Sequence, residues 1–280
     1  MLRSMFAGVS GLRSHQEMMD VVGNNISNVN THGFKSERAT FQDALYQTQR
    51  GATTGEELDG GGEGGVNPLQ IGLGANLASV DTNFGQGSFE MTGRATDVAI
   101  DGEGFFVVDT DEGEAYTRAG IFDFDGAGNL VDRNGNTVMG ASGEGDIDGE
   151  DLEAITIDPD TLSELRDVSV QRNGVISGRD GDGDEEIIGT IATADFTNPG
   201  GLERDGGSLF RPTGAEGDMA VGAPGEDGRG ALEGGVLEMG NVDLADEFTK
   251  LITAQRGFQA NSRTITTSDE LLQELVNLKR

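Results

Sequence analysis

Carboxylates are the groups in this chain best able to do chemistry, and one run of them has the spacing of a cation loop. Asp180-Gly181-Asp182-Gly183-Asp184-Glu185-Glu186 sets oxygen ligands at alternate positions, an arrangement that suits calcium. The twelfth position from Asp180 is Ile191, where such a loop needs a bidentate glutamate, so the run reads as a solvated acidic turn. Asp123, Asp125 and Asn129 form a second cluster whose twelfth position is Asn134, and it too reads as a turn. The two histidines, His15 and His32, offer no Ser-His-Asp constellation, and His15 reads as a helix-surface residue. Gly102-Glu103-Gly104 is half of a phosphate loop without the helix that should follow it. There is no cysteine, hence no thiol nucleophile, thiolate metal site or disulfide. With 50 Asp and Glu among 280 residues, paired carboxylates arise everywhere and lose diagnostic weight. The residues therefore predict no catalytic group, metal site or cofactor, and the chain reads as a non-enzyme.

The elements that would have to position any site divide the chain unevenly. Residues 1 to 50 hold five basic residues (Arg3, Arg13, Lys35, Arg38 and Arg50) against four acidic ones. Residues 241 to 280 hold five basic against six acidic, so the net charge of −31 belongs entirely to residues 51 to 240. All five prolines lie there too. That charge argues against nucleic acid, whose binding needs Lys and Arg facing phosphate. The chain has three lysines, Lys35, Lys250 and Lys279, and an acid-rich, lysine-poor composition fits either a high-salt host or ordinary solubility charge.

Both ends carry helical patterns. Leu244, Leu251, Phe258, Ile265 and Leu272 recur every seven residues, with Phe248 and Val276 on the accompanying three-four spacing and polar Gln255, Ser262 and Asp269 between. Met5, Val9, Leu12, Met19 and Ile26 follow the same spacing, interrupted by Gln16 and Gly23. As helices, residues 243 to 278 would reach roughly 54 Å and residues 5 to 26 roughly 33 Å at about 1.5 Å per residue. Gly8, Gly11 and Gly23 each cost about 1 kcal/mol inside a helix, so the N-terminal one needs a partner. These residues are the expected assembly core, either a hairpin packed within the chain or ends that order only in a larger assembly. No run approaches the ~18 apolar residues of a membrane span. Met5 to Leu12 is too short and broken for a secretory signal peptide, so no membrane insertion is expected, and a protein of this kind that leaves the cell does so by another route.

Between the ends, residues 51 to 66 (GATTGEELDGGGEGGV) read as a flexible linker. Beyond it lie strands and turns. Val98 to Ile100, Asp101-Gly102-Glu103-Gly104 and Phe105 to Val108 read as a hairpin. Asn134-Gly135 and Asn173-Gly174 mark two more, each glycine supplying the positive φ of a tight turn. The expected fold is α+β: discontinuous N- and C-terminal helices forming a coiled-coil-like core domain (1–50 with 241–280), a connection over 51–79, and a mainly antiparallel β body over 80–240.

Asn24, Asn25, Asn28, Thr31, Gly33, Phe34 and Lys35 stand in the order N-N-x-x-N-x-x-T-x-G-F-K, which resembles the N-terminal signature of the flagellar rod and hook protein family. Asp97-Val98-Ala99-Ile100-Asp101-Gly102-Glu103-Gly104-Phe105-Phe106, Tyr116 to Gly120, Phe196 to Leu202, Gly235 to Glu238, and the run from Asn241-Val242 through Gln255-Arg256 and Asn261-Ser262 to Leu278 resemble later blocks of the same family. The resemblance covers nearly the whole chain. It departs at Gly240, where the family usually has serine, and in leaving little room for the outer β domain that hook proteins commonly insert.

The resemblance implies a self-assembling structural subunit whose paired terminal helices line the core of a tubular polymer, with the β body facing outward. The opening Met5 to Leu12 and the closing Leu275 to Arg280 favour the hook, which joins rod to filament and transmits motor torque; the shorter body makes the distal rod subunit the alternative. The implied partners are copies of the chain, the distal rod, hook cap and hook-filament junction proteins, and the flagellar type III export apparatus. The implied location is the flagellum, outside the cell, after export without a cleaved signal peptide. A secreted calcium-binding or carbohydrate-active β protein is the competing class, motivated by the Asp-Gly turns.

Overall fold

A computed structural model describes residues 2–54, 65–143, 147, 152–159, 161, 166–180 and 185–278. Residues 181–184 of the acidic turn, residues 55–64 of the glycine-rich linker, and Lys279 lie outside the described residues. The chain forms two compact units. One comprises Met1–Ser27, Glu37–Asp81 and Asp243–Arg280; the other comprises Asn28–Ser36 and Thr82–Val242.

The first unit contains both long helices, an N-terminal one over Leu2–Ser27 and a C-terminal one over Leu244–Leu278. Asp243 starts the C-terminal helix: its Oδ1 accepts the amides of Ala245 at 2.8 Å and Asp246 at 3.3 Å, satisfying donors that the first turn leaves open. Asp246 and Glu247 add negative charge at the positive end of the helix dipole. No helix among the described residues is long and apolar enough to cross a membrane.

A two-stranded ribbon completes the unit. Glu37–Asp43 pairs with Ala75–Thr82, and Tyr46–Arg50 pairs antiparallel with Leu69–Gly72 in the register Gln47 to Ile71. The amide of Ala44 donates to Gly74 O at 2.8 Å, joining the two ladders, and Thr53 and Val66 exchange 3.0 Å bonds beyond them. Strand pairing thus reaches into the segment expected to be a loose connection. Every residue of Tyr46–Arg50 and Leu69–Gly72 is exposed, and a ribbon with no packed face is marginal alone.

The second unit is antiparallel β around a thirteen-stranded sheet of the described residues. Strand Phe105–Thr110 is its hub, pairing with Gly113–Thr117, Thr137–Ser142 and Thr193–Phe196. Its alternate side chains enter two cores: Phe106 and Val108 pack with Val98, Ile100, Phe122 and Val138, while Phe105 and Val107 pack with Tyr116, Phe196 and Phe210. A strand buried on both faces reads as a continuous apolar run, which is the Phe-Phe-Val-Val pattern of the sequence.

The same fact corrects the first expected hairpin. Val98–Asp101 does not pair with Phe105–Thr110; it pairs with Ala231–Gly234, and Phe105–Thr110 turns back instead onto Gly113–Thr117. Gly102 and Gly104 have φ of 123° and 127°, an extended mirror-image backbone that passes the chain across rather than around a tight turn. A Cβ at Gly102 would lie 2.9 Å from Gly230 Cα, so glycine serves close approach there. The other two turns form as expected: Gly135 and Gly174 have φ of 90° and 84°, with Val131 opposite Thr137 and Val170 opposite Ile176.

Candidate functional site

The helices of the first unit run antiparallel, with Gly8 against Ile265, Gly11 against Asn261, His15 against Gly257 and Asn25 against Glu247. The glycines that weaken the helices in isolation are contact points. A Cβ at Gly11 would meet Asn261 Nδ2 at 2.5 Å, and one at Gly257 would meet the His15 ring at 2.4 Å. A Cβ at Gly23 would meet nothing within 4 Å, so this glycine plays no such part.

The seam differs from the expected one in its second column. Leu251, Phe258, Ile265 and Leu272 are half-buried, as are Met5, Leu12, Met19 and Ile26. Their companions are Glu247, Ala254, Asn261 and Ser268, seven residues apart and buried or half-buried; Leu244, Phe248, Val276 and Val9 are exposed. Among the polar motif positions of the helices, Asn24, Gln255, Arg256 and Ser262 are exposed, while Asn261 packs on Gly11. Small and polar side chains let the backbones approach, but an apolar-periodicity search passes over them. Val22, three residues from Met19 and four from Ile26, is buried on the same N-terminal helix and belongs with them although it was not among the expected residues.

Asn25 acts as a short piece of strand. Its Oδ1 accepts the amide of Glu37 at 2.9 Å and its Nδ2 donates to the carbonyl of Glu37 at 2.8 Å, with a further 3.3 Å approach to Glu247 Oε2. Glu247 is buried and paired with Lys250 at 2.8 Å; Lys250 also meets Asp246 at 2.7 Å, and these hydrogen bonds, Asp246 first, raise its pKa. Asn25→Ala strips both backbone groups of Glu37 of their partner and is expected to lower stability by about 1–3 kcal/mol in thermal melting followed by helical circular dichroism. An unchanged melt would show that water replaces the amide there.

In the second unit the rest of the N-terminal motif converges on one buried cluster. Asn28 and Thr31 close a turn, with Thr31 N donating to Asn28 O at 3.0 Å and Thr31 Oγ1 to Asn28 Oδ1 at 3.1 Å. Gly33 has φ of 69°, and its amide donates to Glu238 O at 2.8 Å; a Cβ there would lie 2.6 Å from Ala119 N and 2.7 Å from Arg118 C. Phe34 lies under the Arg204 guanidinium, 5.0 Å from the ring centroid, and Arg204 also donates to Lys35 O and covers Phe210.

Lys35 is buried with its Nζ 2.6 Å from Glu238 Oε1 and 3.1 Å from Gly85 O. Glu238 takes Gly87 N at 2.7 Å and faces Arg118 at 3.4 Å, while Arg118 donates to Gly102 O at 2.7 Å. Two cations thus share one buried carboxylate. Burial pushes the Lys35 pKa down, the Arg118 charge adding to that against the pull of Glu238; burial likewise lowers Arg118. Asn241 closes the cluster, its Oδ1 accepting Ser36 N at 2.6 Å and its Nδ2 donating to Asn83 O and Gly85 O at 2.8 Å. Val242 beside it is half-buried. Residues 33–36, near the start of the chain, and Asn241, near its end, are thus held together within this unit.

Gly33, Phe34, Lys35 and Asn241 were legible as motif residues; Arg118 and Glu238 stood inside family-like blocks without a role, and Arg204 carried no sequence signal at all. The second acidic cluster is a turn. Asp125 accepts the amides of Ala127 and Asn129 at 2.9 and 2.8 Å, and its bonds to Asn129, backbone first, lower its pKa; Asp132 likewise accepts the amides of Asn134 and Asn136 at 2.8 and 2.9 Å. His32 approaches Glu90 at 3.4 Å. Among the described residues no cluster of three or more His, Asp or Glu has the arrangement of a metal site.

Comparison with known proteins agrees with this architecture. Residues 5–35 match the flagella basal body rod protein family, 99–178 the flagellar hook protein FlgE/F/G D1 domain, and 233–278 the flagellar basal body rod FlgEFG protein C-terminal region. The chain is 46% identical over 281 residues to the flagellar basal-body rod protein FlgG of Bacillus subtilis, each covered in full. It is 36% identical over 284 residues to FlgG of Borreliella burgdorferi, and 30% identical over 445 residues to the flagellar hook protein FlgE of the same species, again with full coverage of both chains. The chain therefore belongs to the flagellar basal-body rod and hook protein family, a family of structural, non-enzymatic parts of the flagellum.

Proposed function

We propose that this chain is the distal rod subunit of the flagellar basal body, a self-assembling element whose helix pairs pack with those of other copies and of neighbouring axial proteins. One observation carries the reading. The alignment to a rod protein runs 281 residues against 280, whereas that to a hook protein needs 445, so the hook relative contains a long stretch with no counterpart here. This favours the alternative named from the sequence over the hook. Export unfolded through the flagellar channel belongs to the same proposal and suits a cysteine-free chain.

Deleting the gene separates the two readings: loss of a complete rod supports the distal rod, while a complete rod that lacks only its hook would overturn it. In purified protein, residues 1 to about 70 and 240 to 280 are expected to be cut by protease in the monomer and protected in the polymer; equal protection in dilute monomer would count against order through assembly. Polymerisation should also improve as salt rises, because a body holding −31 repels its copies until the screening length falls from about 8 Å at physiological salt to about 3 Å at 1 M. Sedimentation at several salt concentrations reads this, and salt-independent yield would remove the electrostatic argument.

A further inference from the structure

The C-terminal helix turns one face to the N-terminal helix through Glu247, Ala254, Asn261 and Ser268. At about 100° per residue the opposite face carries Phe248, Ile252, Arg256, Arg263, Glu270 and Glu274 in one stripe. Phe248 and Ile252 are 49% and 50% exposed, too apolar for a face that stays in water. Arg256, Arg263, Glu270 and Glu274 are exposed, and none has an ion-pair partner among the described residues. The stripe is therefore ordered along the axis as apolar, then positive, then negative.

That order restricts how two such helices can lie side by side. Parallel and in register, arginine faces arginine and glutamate faces glutamate. Shifted by two heptads, about 21 Å at about 1.5 Å per residue, the same faces still meet, but Arg256 of one copy stands opposite Glu270 of the other and Arg263 opposite Asn277. Such a head-to-tail contact does not close on itself, as a polymer requires. We infer that this stripe docks on the same helix of a second copy, parallel and displaced by two heptads, with Arg256 against Glu270 setting the displacement. The inference rests on the assembly reading above. The pairs are exposed, so their effect lies in choosing register more than in strength.

The cysteine-free chain makes cross-linking a clean test. Full-length Arg256→Cys and Glu270→Cys variants are mixed as monomers, polymerised and mildly oxidised, since a disulfide needs Cα atoms within about 7 Å. Disulfide-linked dimers are expected in the mixture and not in either variant alone. Dimers from a single variant, dimers from Arg263→Cys mixed with Glu270→Cys (an antiparallel arrangement or a parallel shift of one heptad), or a polymer that yields no dimers in the first mixture would each overturn the inference while leaving assembly intact. Failure of the unmodified chain to polymerise at any salt would instead overturn the assembly reading beneath it. Without cysteines, Arg256→Glu and Glu270→Arg should each raise the critical concentration about threefold to fivefold, and the double reversal should restore it.

Discussion

Replacing Glu238 by glutamine is expected to destabilise the β unit by about 3–5 kcal/mol. The carboxylate is fully buried and is the shared counter-charge of Lys35 at 2.6 Å and Arg118 at 3.4 Å. Glutamine keeps the shape and can still accept the amide of Gly87, so packing is nearly unchanged and the loss is electrostatic. Two buried cations would remain without their counter-charge, and burial already lowers the pKa of each. Urea unfolding followed by β-sheet circular dichroism should show the shift in midpoint. Lys35→Met in the same background should cost much less than it does alone, because it removes one of the stranded cations; strict additivity would mean the two side chains do not act as a pair.

Gly33→Ala is the second large effect, expected at about 2–4 kcal/mol. The backbone there sits at φ 69°, where a Cβ costs about 1–2 kcal/mol by itself. The added atom would also fall 2.6 Å from Ala119 N and 2.7 Å from Arg118 C, which are main-chain atoms with no rotamer to yield. Gly135→Ala provides the control, since φ is 90° there but nothing lies within 4 Å of the Cβ position. Thermal melts should place Gly33→Ala well below Gly135→Ala. Equal melts would mean that positive φ alone, and not the close approach to residues 118 and 119, demands glycine. Because Gly33 also delivers Phe34 and Lys35 to the cluster, the variant is expected to lose swarming motility in soft agar, with Gly135→Ala still motile.

Much of the architecture is legible in the sequence because it depends on local pattern. Seven-residue spacing marked Leu244, Leu251, Phe258, Ile265 and Leu272; the last four are half-buried, Ile265 beside Gly8, while Leu244 is exposed. The Asn-Gly pairs at 134–135 and 173–174 turned where expected, since a tight turn is decided within four residues. The same local rule failed at residues 101–104. The flanking strands are buried on both faces, and whether they pair with each other or with strands far along the chain is settled by which neighbours fill both cores. The second column of the helix seam was invisible for a complementary reason: alanine, serine and asparagine carry no apolar signal, and burial of Ala254 and Ser268 and the contact of Asn261 with Gly11 show only in the folded pair.

By itself, the sequence determined the near-neutral ends and acidic middle, the two helices, the β character of the body and the family motif, all of which follow from composition and short-range pattern. The tertiary structure decided what the motif residues do. It gave Asn25 the role of a strand edge for Glu37, and it brought Lys35, Arg118, Arg204 and Glu238 from four separate segments to one buried point. A buried ion pair has no spacing rule, because its partners are chosen by where the chain returns after some two hundred residues rather than by what stands beside them.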